Sequence, residues 1–255
     1  MEITTNFNIQ PTKTPNFKAI PLARYQTGKN AFVKIYQLEK KDMPFIKKLN
    51  NNLEKYFEDN NIQDESKIEI ITNVLDTAQK VFLSRGSAFK KSKIFAATYN
   101  NKLCGFLAGN IPKTSKTNIF HYSSRKNHSK FETELDWLVT WEGKGAGKSL
   151  ISEYFTSLRR DRFREVFVRS EVPEETFAQT FYEKLGFVQL PSEREKIAKN
   201  SVNKYSIGEY YFGNEEIIPM IAKKSKINET RKLISTQYNR QSMPKVSVDI
   251  ENIIK

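Results

Sequence analysis

The chain has 255 residues, 38% of them hydrophobic, with 18 Phe and 11 Tyr, enough apolar material for a sizeable core and against global disorder. No apolar run approaches the roughly 18 residues of a membrane span, and no hydrophobic stretch follows a basic start, so a cytoplasmic protein without span or secretory signal is expected. One cysteine, Cys104, and two histidines, His121 and His128, exclude a disulfide scaffold and a metal cluster, while the net charge of +13 concentrates in residues 77–131, a field that attracts anions.

Residues 1–30 hold Pro11, Pro15, Pro21 and Gly28 among Thr and Asn without periodicity, and read as an extended arm. Residues 32–38 are rich in β-formers and read as a strand. Asp42 stands where an N-cap belongs and Pro44 falls in the first turn. Phe45, Ile46, Leu49, Leu53, Tyr56 and Phe57 then repeat at spacings of three and four, which predicts one amphipathic helix. A second is expected over residues 67–84.

Residues 94–99 and 103–111 read as two strands joined by a turn at Asn100-Asn101. A polar, basic loop follows over 112–130, where His121 and His128 read as surface residues; Cys104 reads as a small core residue. Residues 131–140 alternate as a strand, with Leu135, Trp137 and Val139 on one face and Glu134, Asp136 and Leu138 on the other. A glycine-rich turn, Gly143-Lys144-Gly145-Ala146-Gly147, leads into a helix with the stripe Leu150, Ile151, Tyr154, Phe155 and Leu158. Residues 165–169 read as a strand, and Pro173 opens a helix that Gly186 closes. Further strands are expected over 187–190 and 209–212. The order of elements predicts a mixed α/β layer.

The chemistry concentrates at residues 135–158. Closely spaced glycines turn successive N–H groups inward, and the following helix adds its free N–H groups and positive end, which makes a cradle for phosphate or pyrophosphate. Two known glycine grammars fail. A P-loop needs Gly where Glu142 stands, and a dinucleotide fingerprint needs a small residue where Leu150 stands.

Glu142-Gly143-Lys144-Gly145-Ala146-Gly147, followed by Ala178 and Phe181-Tyr182-Glu183-Lys184-Leu185-Gly186-Phe187, resembles the two signature motifs of the GNAT superfamily of acyl-CoA-dependent N-acetyltransferases. The resemblance implies a mixed, mostly antiparallel sheet flanked by helices. It implies an acetyltransferase domain over residues 31–213, between the N-terminal arm of residues 1–30 and a basic C-terminal extension of residues 214–255.

It also implies acetyl-CoA as co-substrate and a primary amine, on a small molecule or a protein, as acceptor. Leu138, Val139 and Thr140 are then expected to pair with the pantetheine arm. Gly143, Lys144, Gly145, Ala146, Gly147 and Lys148 are expected to hold the pyrophosphate. Tyr182 takes the position of the general acid, with a core aromatic as the plainer alternative. The base is open among Glu134, Asp136 and Glu171. No resident metal is expected. The family's usual Arg or Gln is Glu142 here, and its frequent asparagine is Glu175. The rival reading is a degenerate, non-catalytic module that binds an acidic protein, RNA or the ribosome through residues 77–131.

Overall fold

The computed structural model describes residues 18–83, 92–110, 132–141, 145–159, 165–171, 177–189, 217–245 and 248–249. The strands are β1 (Lys18–Gly28), β2 (Ala31–Leu38), β3 (Ser92–Tyr99), β4 (Lys102–Asn110), β5 (Glu132–Thr140), β6 (Glu165–Glu171), β7 (Val188–Gln189), β8 (Ile217–Lys223), β9 (Gln241–Ser242) and β10 (Val248–Asp249). They form one sheet in the order β10-β1-β2-β3-β4-β5-β6-β8-β7, with β9 also on β1. Every pairing is antiparallel except β5 with β6. The helices are α1 (Met43–Asn51), α2 (Leu53–Asp59), α3 (Glu65–Leu83), α4 (Ala146–Leu158), α5 (Phe177–Lys184) and α6 (Lys224–Gln237).

The sheet is covered on both faces, as the two apolar faces of its central strands require. Ile94, Ala96, Phe106 and Val139 meet Phe45, Ile46, Leu49, Phe57, Ile71 and Leu75 of α1, α2 and α3. Tyr25, Ile35, Phe95, Leu107, Leu135 and Val168 meet α4, α5 and α6 on the other face. The expected α/β class, with a large and mostly antiparallel sheet between helices, describes this molecule.

Three expectations change in detail. The helix starting at Asp42 is two helices, broken at Asn52 (φ −124°), because the Asn50-Asn51-Asn52 run competes with the helical backbone; Asn52 Nδ2 donates to the Lys48 carbonyl, 2.7 Å. Residues 18–28, assigned to the extended arm, are β1. Pro21 fits because it stands opposite Tyr36 of β2 at a register shift, between Pro21 and Ala23, and no outer strand pairs with it. Residues 217–237, assigned to the C-terminal extension, are β8 inside the sheet and α6 packed along α4. The strand expected over 209–212 and the loop over 112–130 lie outside the described residues.

The outcome of that C-terminal packing is visible on α4. Ser149, Leu150, Ile151, Ser152, Glu153, Tyr154 and Phe155 are all buried, two full turns enclosed around the whole circumference. Glu153 is only 3% exposed. Arg240, just past α6, donates to its two oxygens, Nε to Oε1 at 2.5 Å and Nη2 to Oε2 at 3.2 Å, while the Tyr25 hydroxyl donates to Oε1 at 2.6 Å. Burial first, and then the Glu153 charge, push the Tyr25 phenol far above its ordinary value, so it stays a neutral donor. Burial opposes the Arg240 charge, but the hydrogen bonds and charge of Glu153 outweigh it and hold the guanidinium protonated.

Glu153→Ala strands a half-buried guanidinium and orphans a buried phenol, and should cost about 3 kcal/mol of unfolding free energy in urea denaturation. A loss below about 1 kcal/mol would class the pair with surface ion pairs instead.

Candidate active site

β5 and β6 run parallel through only four register pairs, Glu132↔Glu165 to Leu135↔Val168. Beyond them β6 follows β8, while β5 follows β4 as far as Gly105↔Thr140. Among the described residues, the β6-facing edge of β5 over residues 136–140 therefore pairs with no strand. An open backbone edge inside a sheet offers N–H and C=O groups to an extended, amide-containing ligand.

The fork has a local cause. Between Leu135↔Gly109 and Trp137↔Ala108 the β5 register gains one residue, Asp136. Such a bulge bends its strand and reverses the side-chain order beyond it. Leu135 and Leu138 consequently join the α4 face, and Trp137 and Val139 the α1–α3 face. This corrects the expectation of a plain alternation with Leu135, Trp137 and Val139 together. It also removes the argument that put Glu134 and Asp136 on one face.

Past Thr140 the chain is pinned before it turns. Trp141 donates from its backbone N–H to Cys104 O at 3.1 Å and from Nε1 to Leu103 O at 2.9 Å, with its ring against Tyr56 and Phe106. Gly145 then caps α4 in the left-handed conformation, φ +82°, which favours glycine. Its carbonyl accepts the Ser149 N–H at 3.0 Å and the Ser149 hydroxyl at 2.9 Å. Ala146, Gly147 and Lys148 have N–H groups without an intrahelical acceptor, and the first turn holds no acidic residue. The two observations together describe a helix end suited to an anion.

Gly147 bears on whether that end is meant for a ligand. A Cβ there would meet nothing closer than Phe181 Cζ at 3.5 Å, an ordinary contact. Packing therefore does not demand glycine, and the bare backbone leaves space beside the turn. The residues present fit a phosphate-bearing ligand lying along β5 with its anionic end at α4.

α5 comes from the β6 side of the fork and ends in a Schellman cap. Gly186 (φ +86°) donates to Glu183 O at 2.8 Å, and Phe187 donates to Tyr182 O at 3.0 Å. The Phe187 and Tyr182 rings meet edge-on, centroids 5.5 Å apart, and Phe181 meets Tyr182 edge-on as well, centroids 5.4 Å apart. Tyr182 is thus held by backbone and rings together, 7% exposed, within the α4-side core.

The structure brings Thr140, Gly147 and Phe181 together at the mouth of the fork. Asp136 is half-buried at its apex. Glu134 lies one residue inside the paired part of β5, opposite Phe167, and Glu171 ends β6 opposite Ile217. Leu138, Gly145 and Lys148 are half-buried and Ala146 is buried. Gly143, Lys144, Glu142, Glu175 and most of the basic segment, residues 84–91 and 111–131, lie outside the described residues. Among the described residues, no group of His, Cys, Asp and Glu could hold a metal ion, and no helix is long and apolar enough to cross a membrane.

Sequence reasoning missed Thr27 and Tyr238, which close over Gly145: a Cβ on that glycine would lie 3.0 Å from Thr27 Cγ2 and 3.4 Å from Tyr238 Cζ. Neither residue carries a local signal, since both arrive from opposite ends of the chain.

Comparison with known proteins places the site in context. The model of the acetyltransferase (GNAT) family matches residues 47–187. The chain is similar to PaiA N-acetyltransferase from Thermoplasma acidophilum, solved in complex with coenzyme A, at 16% identity over 75% of this chain and 98% of that one, TM-score 0.40. It is similar to an acetyltransferase from Thermus thermophilus at 13% identity over 75% and 96%, TM-score 0.40. It is also similar to an aminoglycoside acetyltransferase from an uncultured soil metagenomic sample, in complex with sisomicin, at 22% identity over 60% and 86%, TM-score 0.37. No curated protein matches the chain.

Proposed function

The chain belongs to the acetyltransferase (GNAT) family, and from that premise we propose that it transfers an acetyl group from acetyl-CoA directly to a primary amine in the cytoplasm. The observation that carries the reading is the fork of β5 from β6, which runs to the bare helix end at Gly147.

In this reading Leu138, Val139 and Thr140 pair through their backbone with the pantetheine amides, and residues 143–148 hold the pyrophosphate on N–H groups and the helix end. Acetyl-CoA supplies the thioester whose carbonyl carbon the amine attacks. Asp136, at the apex of the fork, is the base of choice, directly or through water; Glu134 is the second candidate. Tyr182 gives its hydroxyl proton to the sulfur as the carbon–sulfur bond breaks and the carbon–nitrogen bond forms. A phenol suits that step because its ordinary pKa near 10 lies close to that of a thiol.

The test is turnover of acetyl-CoA with a panel of polyamines, aminoglycosides and short peptides, read as free CoA thiol. Amine-dependent release above hydrolysis is expected; release from no amine, with acetyl-CoA bound, would favour the non-catalytic module.

Glu142 tests the phosphate assignment from the other side. It puts a negative charge three residues before the Gly145 cap, so Glu142→Arg should tighten acetyl-CoA binding by about 1 kcal/mol, most at low salt. Weaker binding in that variant would assign Glu142 a structural role.

A further inference from the structure

The turn after α6 is fixed against β1 with its phenol at the anion-binding end of α4. The Gln26 N–H donates to the Tyr238 carbonyl at 2.7 Å, and Asn239 Nδ2 donates to Gln26 Oε1 at 3.2 Å. Arg240 locks onto Glu153, and β9 adds to β1, where Arg24 Nε donates to Gln241 Oε1 at 2.7 Å. These contacts leave the Tyr238 backbone little freedom, while the half-buried side chain lies against Gly145, its Cε1 and Cζ both 3.4 Å from where a Cβ would stand.

Thr27 and Tyr238 flank that glycine, through Thr27 Cγ2 and the Tyr238 ring carbons Cε1 and Cζ. Thr27 Oγ1 is buried and has no hydrogen-bond partner among the described residues. The Tyr238 hydroxyl has none among the described residues either, while its half-buried ring packs against the α4-side core. A donor fixed without an acceptor, beside a helix end with no acidic residue in its first turn, is arranged for an anion supplied from outside.

We propose that Tyr238 is a phosphate ligand of acyl-CoA, its hydroxyl donating to a phosphate oxygen beside Gly145, so that the C-terminal segment forms one wall of the cofactor site. This rests on the acetyl-CoA reading above and extends it to a residue from outside the family motifs. It gives a functional reason why residues 217–245 are built into the sheet and onto α4. The phosphate is either the pyrophosphate or the 3′-phosphate, both being acceptors of one chemistry.

The test is Tyr238→Phe, titrated calorimetrically with acetyl-CoA, its 3′-dephospho form and S-acetylpantetheine, which lacks phosphate. Thermal unfolding is followed in parallel. A hydrogen bond to a charged group predicts about tenfold weaker acetyl-CoA binding, with S-acetylpantetheine binding and unfolding temperature unchanged. An equal loss with the dephospho form assigns the pyrophosphate, and no loss there assigns the 3′-phosphate; both support the proposal. Unchanged acetyl-CoA affinity in the variant, or an equal loss for S-acetylpantetheine, overturns it. A wild type that binds no acetyl-CoA removes the underlying reading and this proposal with it.

Discussion

Gly147→Asp should leave the protein folded and remove acetyl-CoA binding. The nearest atoms to the new Cβ would be Phe181 Cζ at 3.5 Å, Phe181 Cε2 at 3.8 Å and Thr140 Cγ2 at 3.9 Å, all ordinary contacts. An aspartate in a first helical turn interacts favourably with the helix dipole, by about 0.3–1 kcal/mol, so the unfolding temperature should hold or rise. The same carboxylate stands where the ligand's phosphates belong and takes the helix end for itself. Charge repulsion and lost backbone approach together should weaken acetyl-CoA binding by about 100-fold or more, roughly 3 kcal/mol.

The opposed signs make this variant more informative than Gly145→Asp. At Gly145, φ is +82° and a Cβ would press on Thr27 Cγ2, so a binding loss there mixes with strain of about 1–3 kcal/mol. Undiminished affinity in folded Gly147→Asp would remove the phosphate assignment from the α4 end.

Tyr182→Phe should separate catalysis from packing. The ring remains to meet Phe181 and Phe187, and the Schellman cap uses the Tyr182 carbonyl, so these contacts survive the substitution. If the hydroxyl protonates the departing sulfur, kcat should fall about 10²- to 10⁴-fold while the acetyl-CoA dissociation constant stays put. Undiminished kcat on an accepted amine would leave Tyr182 as a core aromatic.

What could be read in the sequence followed from local physics. The glycine turn before an apolar-striped helix, and Leu185-Gly186-Phe187 as a helix stop, have their causes within a few residues of each other. Features set by distant partners were hidden. Pro21 disguises β1 because its tolerance depends on the register shift against β2 and on the gap between β9 and β10, neither of which is a local signal. Asp136 looks like one more alternating residue, since a bulge is defined by the register of β4 opposite.

α6 has only Ile227, Thr230 and Ile234 buried, too sparse an apolar stripe to announce a packed helix. Its place depends on α4, whose Glu153 needs Arg240. Glu153 was the available clue, a carboxylate between Ser152 and Tyr154 in a helix striped with Leu150, Ile151, Tyr154, Phe155 and Leu158, but the identity of its partner required the fold. The same holds for Tyr238, which meets Gly145 only in the folded chain.

The most direct measurement is isothermal titration of the purified wild-type protein with acetyl-CoA at low and moderate salt. A single saturating isotherm is expected, one site per chain, weakening as salt rises because the phosphates are held by a helix end and N–H groups. Titration without binding heat at any salt, with acetyl-CoA also failing to raise the unfolding temperature, would contradict it.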